Sequence, residues 1–459
     1  MMNLMTSIFP VGAHLAGWRH KDAWSKTNMR LDVFIAQAKL AERGKFDMLF
    51  LADGNAVRAM DDPVMFVANT NTDRPATFDP LMLFAAVSQH TKNIGLFCTA
   101  VTTYDEPYLL ARRFGSLDHL SQGRACWNIV TGNYEGDAHN FGRVAHVPRH
   151  ERYERADEFV RICKGLWDSW AEDAFIEDKS LGHFLVPSKV QRLNHAGKHF
   201  SVQGPLNVAR LPQGYPVLAS AGQSEPGREL AARHAELIFS VALTKEEAQA
   251  FYADQKARVV KHGRDPNAVR IMPGVTVYVG RTEGEADELY AELQELIPPE
   301  VGVASLSKFC RMDLSGFPID GPLPDLSEEV VGMHSYRKSI DQLAKRQKST
   351  IRQMYKLIVP SAGHVVIKGN AQHVADQLED WYRTKAADGF NIGMPVQPRS
   401  LETFIDLVIP ELQRRKLFRT EYPGGTLRNM LGLPTPQRQI NPNGAWQFTK
   451  AHEPGRREP

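Results

Sequence analysis

Asn128 and Thr131 stand at the end of an apolar β-type run, Gly123-Arg-Ala-Cys-Trp-Asn-Ile-Val-Thr-Gly132, and strand ends are where parallel α/β proteins place their ligands. Asn128 carries a donor and an acceptor on one side chain and can read a polar ring edge. The competing reading is a buried asparagine that only satisfies backbone groups. Asp53 closes a second run, Phe46-Asp-Met-Leu-Phe-Leu-Ala-Asp-Gly54. A carboxylate after consecutive apolar residues needs a partner, and the strand end is a catalytic address, although a turn or helix-cap aspartate has the same spacing. Thr99, in Gly95-Leu-Phe-Cys-Thr-Ala-Val-Thr-Thr-Tyr104, is near the mouth of a third strand, where the alternative is a threonine chosen for β-propensity.

Two further segments have the form of anion sites. His150 and Tyr153 open a long amphipathic helix, whose exposed N–H groups and dipole favour a phosphate. Val217-Leu-Ala-Ser-Ala-Gly-Gln-Ser-Glu-Pro-Gly-Arg228 reads as strand, glycine turn and helix start, so Ser224 is either a plain N-cap or a phosphate ligand. His14, Trp18 and Arg19 follow the first strand and are candidates for a substrate pocket, against the alternative of packing. No metal is expected: His146 and His150 are four apart, but Pro148 between them interrupts helical pairing. No side chain is singled out as catalytic.

These residues need a scaffold that brings strand ends together. Strand-like runs at 4–9, 47–52, 94–101 and 125–130 alternate with helical patterns at 30–44, 80–91 and 107–120, the last with Leu109, Phe114 and Leu117 facing inward. After the helix from His150, whose Phe159, Cys163 and Trp167 are spaced for the core, residues 173–216 read as irregular with a short extended excursion at 197–202. Strands at 216–221, 237–241, 270–279 and 390–394 and helices at 227–235, 245–262, 283–296 and 401–417 complete the alternation. Eight strand candidates favour an α/β fold, a (β/α)8 TIM barrel with a large insertion, about 301–361, between the seventh and eighth strands. Gly316, Pro318, Gly321 and Pro322 mark candidate hinges of a lid within it. The barrel domain is expected over 1–433 and a poorly ordered tail over 434–459.

Composition excludes some partners. Lys plus Arg number 55 against 53 Asp plus Glu, so no global charge points to nucleic acid or an anionic membrane. The four cysteines form no CxxC pair, no apolar run reaches bilayer length, and a reduced, cytoplasmic setting is expected. GxGxxG, GxxxxGK[ST] and HExxH are all missing, which argues against a dinucleotide held in its own Rossmann unit.

Taken with Glu135-Gly-Asp-Ala-His-Asn-Phe-Gly142 and the segment 417–432, the motifs resemble the flavin-dependent monooxygenases of the bacterial-luciferase superfamily, in the branch of nitrilotriacetate, EDTA and dibenzothiophene sulfone monooxygenases. The resemblance runs from about residue 3 to 434. It implies an enzyme that takes FMN, as FMNH2 supplied by a separate NAD(P)H-dependent flavin reductase, reacts it with O2 to a C4a-peroxyflavin and oxygenates a small organic substrate. It further implies Asp53, Thr99, Asn128, His150, Tyr153 and Ser224 at the cofactor, a structural role for 417–432, and a homo-oligomer, dimer or tetramer. The chain departs from the branch at Gly132 (usually Ser), Ser220 (usually Gln) and Arg149, where the branch has a histidine four residues before the tyrosine. Either Arg149 or His150 therefore fills that place. An F420-dependent oxidoreductase and a flavin carrier without turnover are the rivals.

Overall fold

The computed structural model describes residues 1–57, 66, 76–132, 134–326, 334–361 and 364–439. Eight parallel strands close on themselves: β1 (Asn3–Ser7), β2 (Met48–Leu51), β3 (Gly95–Val101), β4 (Ala125–Val130), β5 (Val217–Ser220), β6 (Leu237–Ser240), β7 (Arg270–Val279) and, last in the chain, β9 (Gly389–Gly393). β7 pairs with β6 through its first residues and with β9 through Gly274–Thr276, and β9 pairs with β1, which completes the barrel. One strand escaped the sequence reading: β8 (Val365–Gly369) is a ninth parallel strand, bonded to the upper half of β7.

Alternation decides what each strand residue faces. Leu4, Leu49, Leu96, Trp127, Phe390 and Ile392 point outward into a core shared with the helices. Those helices are α1 (Leu31–Arg43), α2 (Pro80–Ser88), α3 (Pro107–Leu120), α4 (Arg149–Trp167), α5 (Glu225–His234), α6 (Lys245–Lys261) and α7 (Glu283–Glu295). Trp127 shows the packing, with ring centroids 5.6 Å from Phe114 of α3 and 5.9 Å from Phe159 of α4. Leu109 corrects the helical reading: it is 44% exposed, because five residues at about 100° each set it about 140° round the helix from Phe114, off the face that Leu110, Phe114 and Leu117 bury.

Met5, Met48, Phe50, Phe97, Cys126, Val217, Ala219, Leu237 and Met272 point into the barrel. The N-terminal mouth is stoppered by the short helix Leu427–Leu431, whose Leu427, Met430 and Leu431 join that interior. Arg428, fully buried, ties the stopper down through Glu236 at 2.6 and 2.9 Å and the Tyr215 carbonyl at 3.1 Å. The C-terminal mouth is thus left as the place for a site.

Between β7 and β9 lie α8 (Pro299–Cys310), α9 (His334–Gln347), α10 (Ile351–Ile358), β8 and α11 (Ala371–Arg383). α8 and α10 form a second apolar cluster that takes in Leu15 and Ala16 of the first loop. Of the candidate hinge residues Gly316, Pro318, Gly321 and Pro322, the last two lie in a stretch pinned to the start of α10: Ile351 N donates to Gly321 O at 3.0 Å, Arg352 N to Ile319 O at 2.9 Å, and Arg352 pairs with Asp320. The irregular segment 173–216 contains two small hairpins, Phe175–Asp178 with His183–Leu185 and His195–Ala196 with Ser201–Val202. The final helical stretch is broken by a π segment, Phe404–Val408, just before Pro410, which has no N–H to continue the ladder. Of the tail, 434–439 lie against α4, with Pro436 O accepting from Arg210 and Arg438 donating to Asp168 O, and 440–459 fall outside the described residues. Among the described residues no helix is long and apolar enough to cross a membrane.

Candidate active site

The strand registers set the geometry of the open mouth. Asn128 aligns with Thr99 on one side and Ala219 on the other, Gly274 aligns with Asn391, and Asn391 aligns with Met5. Carried round the closed sheet, these registers put Phe50, Asn128, Phe239 and Asn391, from alternate strands, at one level, the layered filling of such barrels. Phe50 and Phe239 belong to opposite strands and meet across the axis with centroids 6.1 Å apart, forming a floor. The next inward positions are Ser7, Thr99, Ala221 and Gly274, all small, so above the floor the barrel widens into a cup.

Thr99 lines one wall of that cup, and Asn128, on the neighbouring strand at the level of the floor, forms the foot of the same wall. Both are buried, and Asn128 Nδ2 donates to Thr99 Oγ1 at 2.9 Å. This spends the asparagine's donor side and leaves its buried Oδ1 with no partner among the described residues. An unpaired buried acceptor costs about 1–3 kcal/mol, so a ligand donor belongs here. Asp53 lies just beyond β2 in a loop held down by the short helix Glu135–Asn140: Asn55 N donates to Asp137 Oδ1 at 3.0 Å, and Asn140 Nδ2 donates to Asn55 O at 2.7 Å.

The two expected anion sites are brought together. Tyr153, in the first turns of α4, and Ser224, N-cap of α5, are joined by a 3.3 Å hydrogen bond between their hydroxyls. Ser224 Oγ also accepts from Gly227 N at 3.3 Å. A Cβ on Gly222 would meet Gly227 Cα at 2.9 Å, so the turn and the helix start approach as only two glycines allow. Pro148 caps α4 without a side-chain bond, so its first-turn N–H groups are open to an anion. Arg149 and His150 are both exposed at the first two helical positions.

Sequence reasoning did not single out Arg152. Its guanidinium donates to Gly132 O and contacts His146 Nε2 at 2.9 Å, while Tyr104 Oη lies 2.6 Å from His146 Nδ1. The result is a cationic strut beside Tyr153, and both nitrogens of His146 are engaged. Asn391 and His364 were also missed. Asn391 shares its face of β9 with Gly389 and Gly393, a period-2 signal present in the sequence, whereas His364 precedes the uncounted strand. Among the described residues no group of three or more His, Cys, Asp or Glu is arranged to hold a metal ion.

The first-loop residues fall elsewhere. His14 is fully buried against α7, with Nδ1 accepting from Ala16 N at 3.0 Å and Nε2 3.4 Å from Gln294 Nε2. The accepting Nδ1 places the ring proton on Nε2, so Gln294 meets it better with its oxygen turned toward the ring. Burial pushes the imidazole down to about 3. Trp18 is 54% exposed, and Arg19 is exposed with its guanidinium on the Leu296 carbonyl. His14 and Arg19 thus meet the end of α7, and Leu15 and Ala16 between them pack against α8.

The donor set fits a flavin mononucleotide: a buried acceptor beside an apolar floor for a polar ring edge, and hydroxyls with open N–H groups for a phosphate. The chain matches the family described as luciferase-like monooxygenase over residues 11–389. It is 47% identical over 427 residues to N-acetyl-S-(2-succino)cysteine monooxygenase of Bacillus subtilis (strain 168), covering 93% of this chain and 95% of that one. It is 44% identical over 433 residues to nitrilotriacetate monooxygenase component A of Aminobacter aminovorans, covering 94% and 96%. Among solved structures, a long-chain alkane monooxygenase superposes with a TM-score of 0.81 at 34% identity, over 94% of this chain and 95% of that chain.

Proposed function

The chain belongs to the luciferase-like monooxygenase family, and from that premise we propose that it is the oxygenating half of a two-component system, using FMN reduced by a separate NAD(P)H-dependent flavin reductase. It is a flavin-dependent monooxygenase, and the F420 and carrier readings are set aside because relatives at 44% and 47% identity over nearly the whole chain are monooxygenases. The observation that carries the assignment is the buried, unpartnered Asn128 Oδ1 beside the Phe50–Phe239 floor, at the same end of the barrel as the Tyr153–Ser224 pair.

In this reading Asn128 accepts from the polar edge of the ring and Thr99 fixes the amide's orientation. Tyr153, Ser224 and the first-turn N–H groups of α4 and α5 hold the phosphate, with His150 beside them, and Asp53 borders the ring from the β2 loop. Reduced flavin, when bound, supplies the two electrons that activate O2. One oxygen atom goes to the substrate and the other leaves as water. The aromatic floor and the stoppered lower barrel keep water from reaching the ring from below.

The substrate is proposed to be a small thioether or amine bearing carboxylates, the chemistry in the names of the two relatives. The homo-oligomer is retained as a proposal, supported by the exposed apolar residues Met82, Leu109 and Leu120 along α2 and α3, and light scattering on the purified protein decides it. The two-component assignment is tested by O2 uptake. The protein with reduced FMN and N-acetyl-S-(2-succino)cysteine or nitrilotriacetate should consume O2 and form oxidised product, while NADH alone should give almost none. Efficient NADH oxidation without a reductase would overturn it.

A further inference from the structure

The cup has a second wall whose polar groups the reaction as described leaves unused. β7 and β9 lie opposite β3 and β4 in the closed strand order, so Gly274 and Asn391 face Thr99 and Asn128 across the mouth. Gly274 brings no side chain, and the space is filled from outside the barrel: His364, the residue before β8, lays its ring over the glycine. A Cβ on Gly274 would sit 2.6 Å from His364 Cε1 and Nδ1. β8 delivers the imidazole, since Val365 aligns with Val275, one residue beyond Gly274. The ring also packs edge-on against Phe239 of the floor, with centroids 5.6 Å apart at 78°.

Two buried atoms on this wall, His364 Nδ1 and Asn391 Oδ1, have no hydrogen-bond partner among the described residues. Leaving two polar atoms unpaired around one cup is costly, and the cost is recovered when a ligand pairs them. Burial holds the imidazole neutral, down to about 4, so a neutral ring and an amide are what this wall offers. Neutral groups pair with an uncharged part of a substrate, and its carboxylates would be left toward the outer rim, where Arg149 and His150 are exposed.

Resting on the monooxygenase reading, we propose that His364 and Asn391 are specificity-determining residues that hydrogen-bond an uncharged polar group of the substrate from the wall opposite Asn128. The pair fixes which substrate atom faces the ring.

The test uses the full-length protein with His364→Phe, which keeps the space over Gly274 filled, and Asn391→Leu. Oxidised FMN should bind both variants within about twofold of the parent, because its proposed ligands lie on the other wall; a tenfold loss would put the pair at the flavin and overturn the proposal. With reduced FMN, O2 and N-acetyl-S-(2-succino)cysteine as probe, KM should rise about tenfold in each variant, with more H2O2 per product. Unchanged KM and coupling would overturn it. If the parent leaves this probe unoxidised, the substrate reading fails separately. The pair is then decided by the ring-nitrogen NMR shifts of His364 when the same probe is added to FMN-loaded parent: movement supports the pair, and its absence overturns it.

Discussion

Tyr153 and Ser224 come from helices well apart in the chain yet share one hydrogen bond, and each presents a hydroxyl where two helix N-termini converge. A hydrogen bond to a charged group contributes about 1.5–3 kcal/mol, so Tyr153→Phe and Ser224→Ala should each weaken FMN binding about ten- to a hundredfold. Riboflavin, which lacks the phosphate, should bind parent and variants alike. Ser224 also caps α5, and Ser224→Gly separates the roles because glycine is nearly as good a cap and brings no hydroxyl. Fluorescence-quenching titrations decide it, and unchanged FMN affinity in all three variants would move the phosphate elsewhere. These residues were legible because each stands at the end of a local pattern, a strand or a helix start, that a short window of sequence reveals. Asn391 and His364 were not, since which residues face each other across a closed barrel depends on register accumulated over all eight strands. The surroundings of His14 were hidden for a related reason: Gln294, which meets its ring, stands 280 residues later in the chain.

At the scale of elements, the eight barrel strands were readable from their apolar runs, and the insertion fell where the strand count put it, between β7 and β9. β8 was overlooked although Val365-Val-Ile-Lys-Gly369 is a β-type run and Asn370 caps the helix after it; among the described residues it pairs with β7 alone and stands outside the closed ring of eight. The stopper Leu427–Leu431 was read as structural without its position, which no local pattern encodes. Its anchor makes that position testable. Burial alone would raise Glu236, but Arg428 holds its carboxylate below the ordinary value. Arg428→Met strands that charge and should cost about 3–5 kcal/mol of stability. FMN affinity should stay unchanged, since the stopper plugs the mouth opposite the site. Adding Glu236→Gln should restore part of the loss. Denaturant unfolding with parallel FMN titration checks both, and a stable Arg428→Met protein that loses FMN would put the segment at the site instead.

Over the whole molecule, burial of histidines makes stability depend on pH in a direction the geometry dictates. His14, His234 and His364 are pushed down to about 3, 4 and 4, chiefly by burial, with Lys164 adding to the effect at His234 and Asp157 opposing it. Unfolded, each titrates near 6.5. The unfolded chain therefore takes up protons that the fold refuses, so the stabilisation is complete above about pH 6.5 and is lost as pH falls from there toward 4. The loss is about 1.4 kcal/mol per pH unit for each histidine across that window. Asp118 works the other way. Burial raises its carboxyl to about 6 despite the bonds from Gln213, so the fold holds a proton the unfolded chain has released, and stability returns as pH falls through 6. Three histidines outweigh one aspartate, and unfolding free energy should drop by a few kcal/mol between pH 7 and pH 5. His364→Phe removes one of the refused protons and should flatten the dependence by about one proton, whatever its effect on catalysis. Urea unfolding of parent and variant at pH 7, 6 and 5 measures the slopes. Parallel slopes would mean that His364 takes up its proton as freely in the fold as in the unfolded chain, and that the wall over Gly274 is open to water.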